Sequence, residues 1–171
     1  MQHRPIKILL VEADEDYIDE LEAGLAVSQA GALEIEWVGE LSQALARLTQ
    51  GGFDAVLLSL DLPDSQGMVT FDRAYAFAPD VPILVVSDDP DEEAAVSTVQ
   101  AGAQDYLVKS EVGPSLIVRS VRHAIERHRL FSALRSLSLI DDLTGLYNRR
   151  GFEDIGFALV FVRNPGVPRA E

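Results

Sequence analysis

Short apolar runs alternate with helix-like patterns five times along the first 125 or so residues of the 171-residue chain. Ile6–Val11 (IKILLV), Ala55–Leu58 (AVLL), Ile83–Val86 (ILVV) and Tyr106–Val108 (YLV) read as strands, and their continuous apolar character suits strands covered on both faces. Leu33–Val38 (LEIEWV) alternates instead, with Glu34 and Glu36 facing away from Ile35 and Trp37. That is the pattern of an edge strand with one wet face. Between the runs lie helix signals. Asp89-Pro90-Asp91-Glu92 offers an N-cap, a proline at the first helical position and a capping-box acid, and that helix stops at Gly102. Ser42 is placed to cap LSQALARL, which ends at Gly51-Gly52; Gly31 follows the first helix and Pro114 opens the last.

Five such units predict a parallel sheet with helices on both faces and right-handed crossovers, a flavodoxin-like doubly wound α/β fold. With the alternating strand at the edge, the strand order is 2-1-3-4-5 and reverses between strands one and three. Ligands of such sheets bind outside the carboxyl ends of the strands at that reversal. The residues leaving the strand ends should then share one crevice: Glu12-Ala13-Asp14, Ser59, Ser87 and Lys109.

Composition narrows the function classes. There are no cysteines, which removes disulfides, thiol catalysis and thiolate metal sites. The apolar runs stay near eight residues, short of the ~20 that span a bilayer. MQHRPIKILLV lacks a signal-peptide cleavage site, so the expected compartment is the cytoplasm. The net charge is −14, unevenly spread: residues 1–118 hold 22 Asp/Glu against 5 Lys/Arg, a balance of −17, and residues 119–171 a balance of +3. The acidic part would repel nucleic acid and anionic membrane. Residues 119–135, with five arginines and two histidines, read as the solvated face of a long helix, or alternatively as an attractor of an anion or acidic partner.

LLVEADEDY at 9–17, DAVLLSLDLPDSQG at 54–67, VPILVVSDDPDEE at 81–93 and AGAQDYLVKS at 101–110 resemble the receiver (CheY-like) domain of two-component response regulators, over about residues 5–125. The resemblance implies an acid pair after strand one and a strand-three aspartate that hold Mg²⁺, the aspartate taking phosphate from a histidine kinase. It also implies a Ser/Thr after strand four and a lysine after strand five that contact the phosphoryl group. Glu12, Ser87 and Lys109 match, and Tyr106 stands where the family often carries a switch aromatic. Two central positions depart: Ala13 replaces the second acid and Ser59 the phosphoacceptor.

A carboxylate is ionised at neutral pH and attacks a phosphohistidine unaided, whereas a serine hydroxyl needs a general base. No histidine is placed to supply one: His3 precedes strand one, and His123 and His128 belong to the last helix. Mg²⁺ wants several hard oxygen ligands, and the substitutions leave mostly Glu12 and a backbone carbonyl, with Asp14 or Asp61 as partial substitutes. The expectation is a pseudo-receiver with no cofactor and a Mg²⁺ site lost or weak. Lys109 would pair with Glu12 or Asp61 as a structural bridge, and Ser59 either relaxes charge repulsion at the mouth or bonds a loop amide. A Ser59–Lys109 hydrolytic dyad is disfavoured because no nucleophile-elbow glycines flank Ser59. Tyr106 reads as a packed aromatic before a working switch.

From Pro114 no breaker appears for about 25 residues. Ile117, Val121, Ile125 and His128, then Leu130, Leu134 and Leu137, recur at helical steps, predicting a long stalk that pairs with a second copy as a parallel coil or folds back on its own domain. DDLTGLYNRRGFE, residues 141–153, resembles the entry motif of diguanylate cyclase (GGDEF) domains, through Asp142, Leu143, Thr144, Leu146, Asn148, Arg149 and Arg150. Too little chain follows to build the cyclase site, so catalysis of cyclic di-GMP synthesis is not expected here. The predicted organisation is a receiver-like domain over 1–125, a helical stalk over 126–140 and a cyclase-domain stub over 141–171. The expected function is phosphorylation-independent docking of a protein partner or second copy through the face of helix four, strand five and helix five. The alternatives are a receiver phosphorylated on Asp14 or Asp61, or the regulatory piece of a cyclase.

Overall fold

The computed structural model describes residues 4–27 and 33–137. Each apolar run forms a strand: β1 (Ile6–Val11), β2 (Leu33–Val38), β3 (Ala55–Ser59), β4 (Ile83–Ser87) and β5 (Asp105–Val108). All neighbours are parallel and the order is β2-β1-β3-β4-β5. The connecting helices are α1 (Glu15–Val27), α2 (Leu41–Gln50), α3 (Met68–Phe77) and α4 (Glu92–Gln100), and α5 (Pro114–Leu137) follows β5. A two-rung antiparallel ladder, Asp61–Leu62 against Ser65–Gln66, closes the loop after β3. This is the doubly wound flavodoxin-like architecture that the alternating pattern predicts.

Strand residues divide strictly between two cores, as a period of two requires. Ile8, Leu10, Ala55, Leu57, Leu84 and Val86 pack with α1 and α5 residues such as Leu21 and Val121. Leu9, Val11, Val56, Leu58, Ile83 and Val85 pack on the other side with α2 and α3 residues such as Leu41 and Phe71. The central strands are therefore buried on both faces, which is why they read as unbroken apolar runs. β2 at the edge is only partly covered. Its Glu36 is ion-paired with Arg47 of α2 and with Lys7 of β1. Arg47 first, and then Lys7, hold that carboxyl below the ordinary glutamate value, against the opposing effect of burial. Trp37, expected on the covered face beside Ile35, is instead 42% exposed at the strand's carboxyl end.

α5 runs unbroken from Pro114, as the sequence predicts. Its first turns meet α1 closely: a Cβ at Gly24 would fall 2.2 Å from Pro114 Cγ, so this mid-helix glycine is a packing requirement. Residues 1–128 form one compact unit and a second begins at Arg129, within α5. Gly31 and the motif at 141–153 lie outside the described residues.

Two helix starts differ from expectation. Asp89 does not cap α4. Its N–H donates to Ser87 Oγ and its carboxylate accepts from Asp91 N, which builds a turn, and Asp91 then caps the helix by accepting from Glu93 N at 2.9 Å. Pro90 accordingly sits in the lead-in. Nor does Ser42 cap α2. The residue at the N-cap is Glu40, without a side-chain cap bond, and the first turn's amides are satisfied from elsewhere. Leu41 N and Ser42 N each donate to the Asp64 carboxylate at 2.8 Å, tying the loop after β3 to α2.

Burial works to raise the Asp64 pKa, but the amides of Ser42 and Leu41 outweigh it and leave the carboxyl below the ordinary aspartate value. A depressed folded-state pKa means stability that is complete above the unfolded value, about 4, and lost as pH falls through the folded one. Asp64→Ala should lower the unfolding free energy by about 1 kcal/mol at neutral pH, the usual loss for a cap. In urea titrations that difference from wild type should shrink on acidification; a difference that persists at low pH contradicts the capping role.

Candidate functional site

In a parallel sheet every strand delivers its carboxyl end to the same edge, and the residues there form the mouth of this fold. β1 delivers Glu12, Ala13 and Asp14. Glu12 is only 2% exposed. Its Oε1 accepts from Ala13 N at 2.9 Å and Asp14 N at 3.1 Å. Its Oε2 lies 2.9 Å from Lys109 Nζ, with both side chains buried. Asp14 starts α1, its Oδ1 accepting from Asp16 N and Tyr17 N.

β3 delivers Ser59, buried and paired in register with Val86 of β4. Its Oγ accepts from Asp61 N at 3.3 Å, the loop-amide bond that was one of the two readings of this serine. Asp61 itself is exposed on the two-rung ladder. β4 delivers Ser87, whose Oγ holds Asp89 N at 3.1 Å. Thr70, fully buried at the start of α3, fastens the same region, its hydroxyl donating to Leu60 O and accepting from Ser65 Oγ at 2.9 Å.

Lys109 leaves β5 with its N–H donating to Ser87 O. Its ammonium meets Glu12, as anticipated, but the second partner is Asp88 and not Asp61: Nζ lies 2.9 Å from Asp88 Oδ2. The Tyr17 ring covers the remaining side, its centroid 4.8 Å away. Burial works to lower the lysine pKa, yet the bonds to Glu12 and Asp88 outweigh it and hold the ammonium above its ordinary value. The Tyr17 phenol is pushed up to about 12, by burial above all; Lys109 pulls it back and Glu12 adds to the rise. Tyr106 is half-buried against the α2–α3 side of the core, and its hydroxyl donates to Asp89 O at 3.0 Å.

A cleft of about 480 Å³ opens beside this cluster, bounded by Asp14, Tyr17, Asp88, Lys109 and Glu111 among others. Three participants escape a reading of the sequence alone. Asp88 adjoins Ser87, which is a signal of proximity but not of pairing. Tyr17 stands one helical turn after Ala13, on the side of α1 that faces the mouth. Trp37 donates its indole N–H to Glu12 O at 2.7 Å, a contact nothing in the pattern announces.

Residues 8–122 match the family described as the response regulator receiver domain. The chain is 33% identical over 117 residues to the swarming motility regulation protein RssB of Serratia marcescens, covering 67% of this chain and 51% of that protein. It is 32% identical over 113 residues to the transcriptional regulatory protein PrrA of Mycobacterium tuberculosis, covering 66% of this chain and 47% of that one. The chain thus spans about half the length of these curated relatives. Among solved structures, a CheY-like receiver domain protein from Methanospirillum hungatei aligns with a TM-score of 0.63 at 22% identity, over 75% of this chain and 99% of that one. NtrX from Brucella abortus aligns with a TM-score of 0.66 at 23% identity, over 79% of this chain and 30% of that one. These two likenesses are of fold. With the family match over two thirds of its length and the strand order seen here, this chain belongs to the response regulator receiver domain family of two-component signalling.

Proposed function

We propose that this receiver domain works by phosphorylation-independent protein docking, its pocket serving as a structural clasp in place of a phosphoryl-transfer site. The observations that carry the reading are the Lys109 ammonium, engaged by Glu12 and Asp88, and a Ser59 hydroxyl that accepts from Asp61 N. Serine at the phosphoacceptor position lacks an ionised oxygen, and a hydroxyl needs a nearby base to attack phosphorus. The described histidines, His123 and His128, lie on α5.

The donor set does not fit Mg²⁺, which asks for near-octahedral oxygen ligation. Glu12 has Oε1 taken by two amides and Oε2 by Lys109, and Asp14 spends an oxygen capping α1. Among the described residues no three His, Cys, Asp or Glu side chains group in a way that could hold a metal. In this reading the receiver domain acts as a binding module. A second reading, phosphorylation at a substitute acid, is favoured only by the exposed position of Asp61 beside Ser59.

The docking face in this reading is that of α4, β5 and the part of α5 up to His128, where α4 exposes Val96 and Val99. Described by itself, the part of α5 from Arg129 exposes Leu130, Phe131 and Leu134 at helical spacing, a stripe that suits a second copy as in a parallel coil. No helix among the described residues is long and apolar enough to cross a membrane. Cytoplasmic placement is part of the proposal, as is the role of the cyclase-like motif at 141–153 as a link to cyclic di-GMP signalling.

Incubation with acetyl phosphate and Mg²⁺ should leave the intact mass of the protein unchanged. A stoichiometric phosphoryl adduct overturns the reading, and its loss in Asp61→Asn would establish the substitute acid. Sedimentation across a concentration series should show a dimer that Leu134→Asp disperses; a protein monomeric at every concentration removes the second copy as partner.

A further inference from the structure

The loop from Ser87 to Asp91 carries the chain from β4 into α4, and it is unusually well tied. Its inner bonds are local: Ser87 Oγ to Asp89 N, the Asp89 carboxylate to Asp91 N, and the Asp91 carboxylate to Glu93 N. Two bonds reach across to the neighbouring strand end. Tyr106 donates its hydroxyl to Asp89 O, and Lys109 donates to Asp88 Oδ2. Lys109 is in turn anchored on β1 through Glu12, and its backbone N–H is bonded to Ser87 O. The loop is thereby fastened to the floor of the mouth through one ammonium.

Asp88 differs from the other partners in that ammonium's shell. Glu12 is fully buried and has two amides besides Lys109, while the Asp88 side chain is 77% exposed and its contact with the mouth is Lys109. A lysine ammonium carries three donors and no acceptor. Glu12 and Asp88 flank it as ion-pair partners, Asp88 through a hydrogen bond, and the Tyr17 ring lies on a third side. An anion arriving at the mouth would have to displace Asp88, because detaching Glu12 would strand a buried carboxylate. Asp88 thus stands where an incoming anion would compete for Lys109.

We propose that Asp88 is a built-in counter-anion for Lys109, and that this pair holds the Ser87–Asp91 loop and the first turn of α4 in one arrangement with no phosphoryl group bound. Asp88 is a positioning residue: it touches no ligand and acts on the α4 face through the lysine. The inference deepens the phosphorylation-independent reading by naming what stands in for the missing anion. Its consequence is that the exposed Val96 and Val99 of α4 are presented continuously and not on demand.

The test is residue-resolved amide hydrogen exchange on the whole chain, without Mg²⁺ or phosphodonor, in wild type, Asp88→Asn and Asp88→Glu. Asp88→Asn should speed exchange at Asp89, Asp91 and Glu93 about two- to fivefold, the scale of one solvent-exposed ion pair. The amides of Leu10 and Leu57 in the central strands should be unaffected. Asp88→Glu should restore most of the protection. Added salt should loosen the loop in wild type and leave Asp88→Asn unchanged, because an exposed pair is screened. Loop exchange in Asp88→Asn equal to wild type overturns the proposal, as does an acceleration spread evenly over the sheet, or failure of glutamate to rescue. Since no phosphodonor is present, this result is independent of whether the protein accepts phosphate, and the two readings fail separately.

Discussion

The buried pair of Glu12 and Lys109 is the interaction on which the functional end of this domain depends. It joins the end of β1 to the end of β5 at the carboxyl edge of the sheet. Taking two charges out of water costs several kcal/mol each, and the cost is recovered only when geometry and further hydrogen bonds are good. Two backbone amides hold Glu12 Oε1, and Asp88 and the Tyr17 ring flank the ammonium, while Glu12 Oε2 meets Lys109 as an ion pair without a hydrogen bond of its own. The raised lysine pKa expresses the same balance, its anionic neighbours overriding the effect of burial.

Several carboxylates near the mouth accept backbone amides. Glu12 and Asp14 receive amides at the start of α1, Asp64 receives those at the start of α2, and Asp89 and Asp91 those at the start of α4. Asp14, Asp64 and Asp91 thereby cap helix starts, where the positive end of a helix welcomes an acid, while Glu12 and Asp89 tie the turns that lead into them. A metal would have to compete with those amides for the same oxygens. An acid-rich loop region that looks from the sequence like a cation site is thus, in three dimensions, a set of helix starts. The uncharged Ser59 fits among them because its hydroxyl also serves an amide, that of Asp61.

The fold was legible because the central strands are covered on both faces and so lack polar interruptions, while the edge strand alternates. The strand ends were legible too, since Ser59 and Ser87 terminate apolar runs, and topology alone brings Glu12 and Lys109 to one edge. What could not be read was the pairing of groups whose approach depends on tertiary placement. Asp64 reaches α2 from 22 or 23 positions away and displaces Ser42 as the cap. Asp89 uses its side chain in the loop, so the start of α4 moves to Asp91. Asp88 replaces Asp61 as the second partner of Lys109 because the chain turns at Asp89-Pro90, and no local propensity specifies where that turn points its preceding carboxylate.

The central claim is that Glu12 and Lys109 are already engaged, by one another, by two backbone amides at Glu12 Oε1 and by Asp88 at the ammonium. Trp37 is the only tryptophan in the chain, and its indole N–H donates to the Glu12 carbonyl, so its emission reports directly on that mouth. Titrating Mg²⁺ through the millimolar range at constant ionic strength, while following Trp37 fluorescence, should produce no saturable change. A saturable transition with one-to-one stoichiometry would show that Glu12 gives up its present partners to a metal, and would contradict the account.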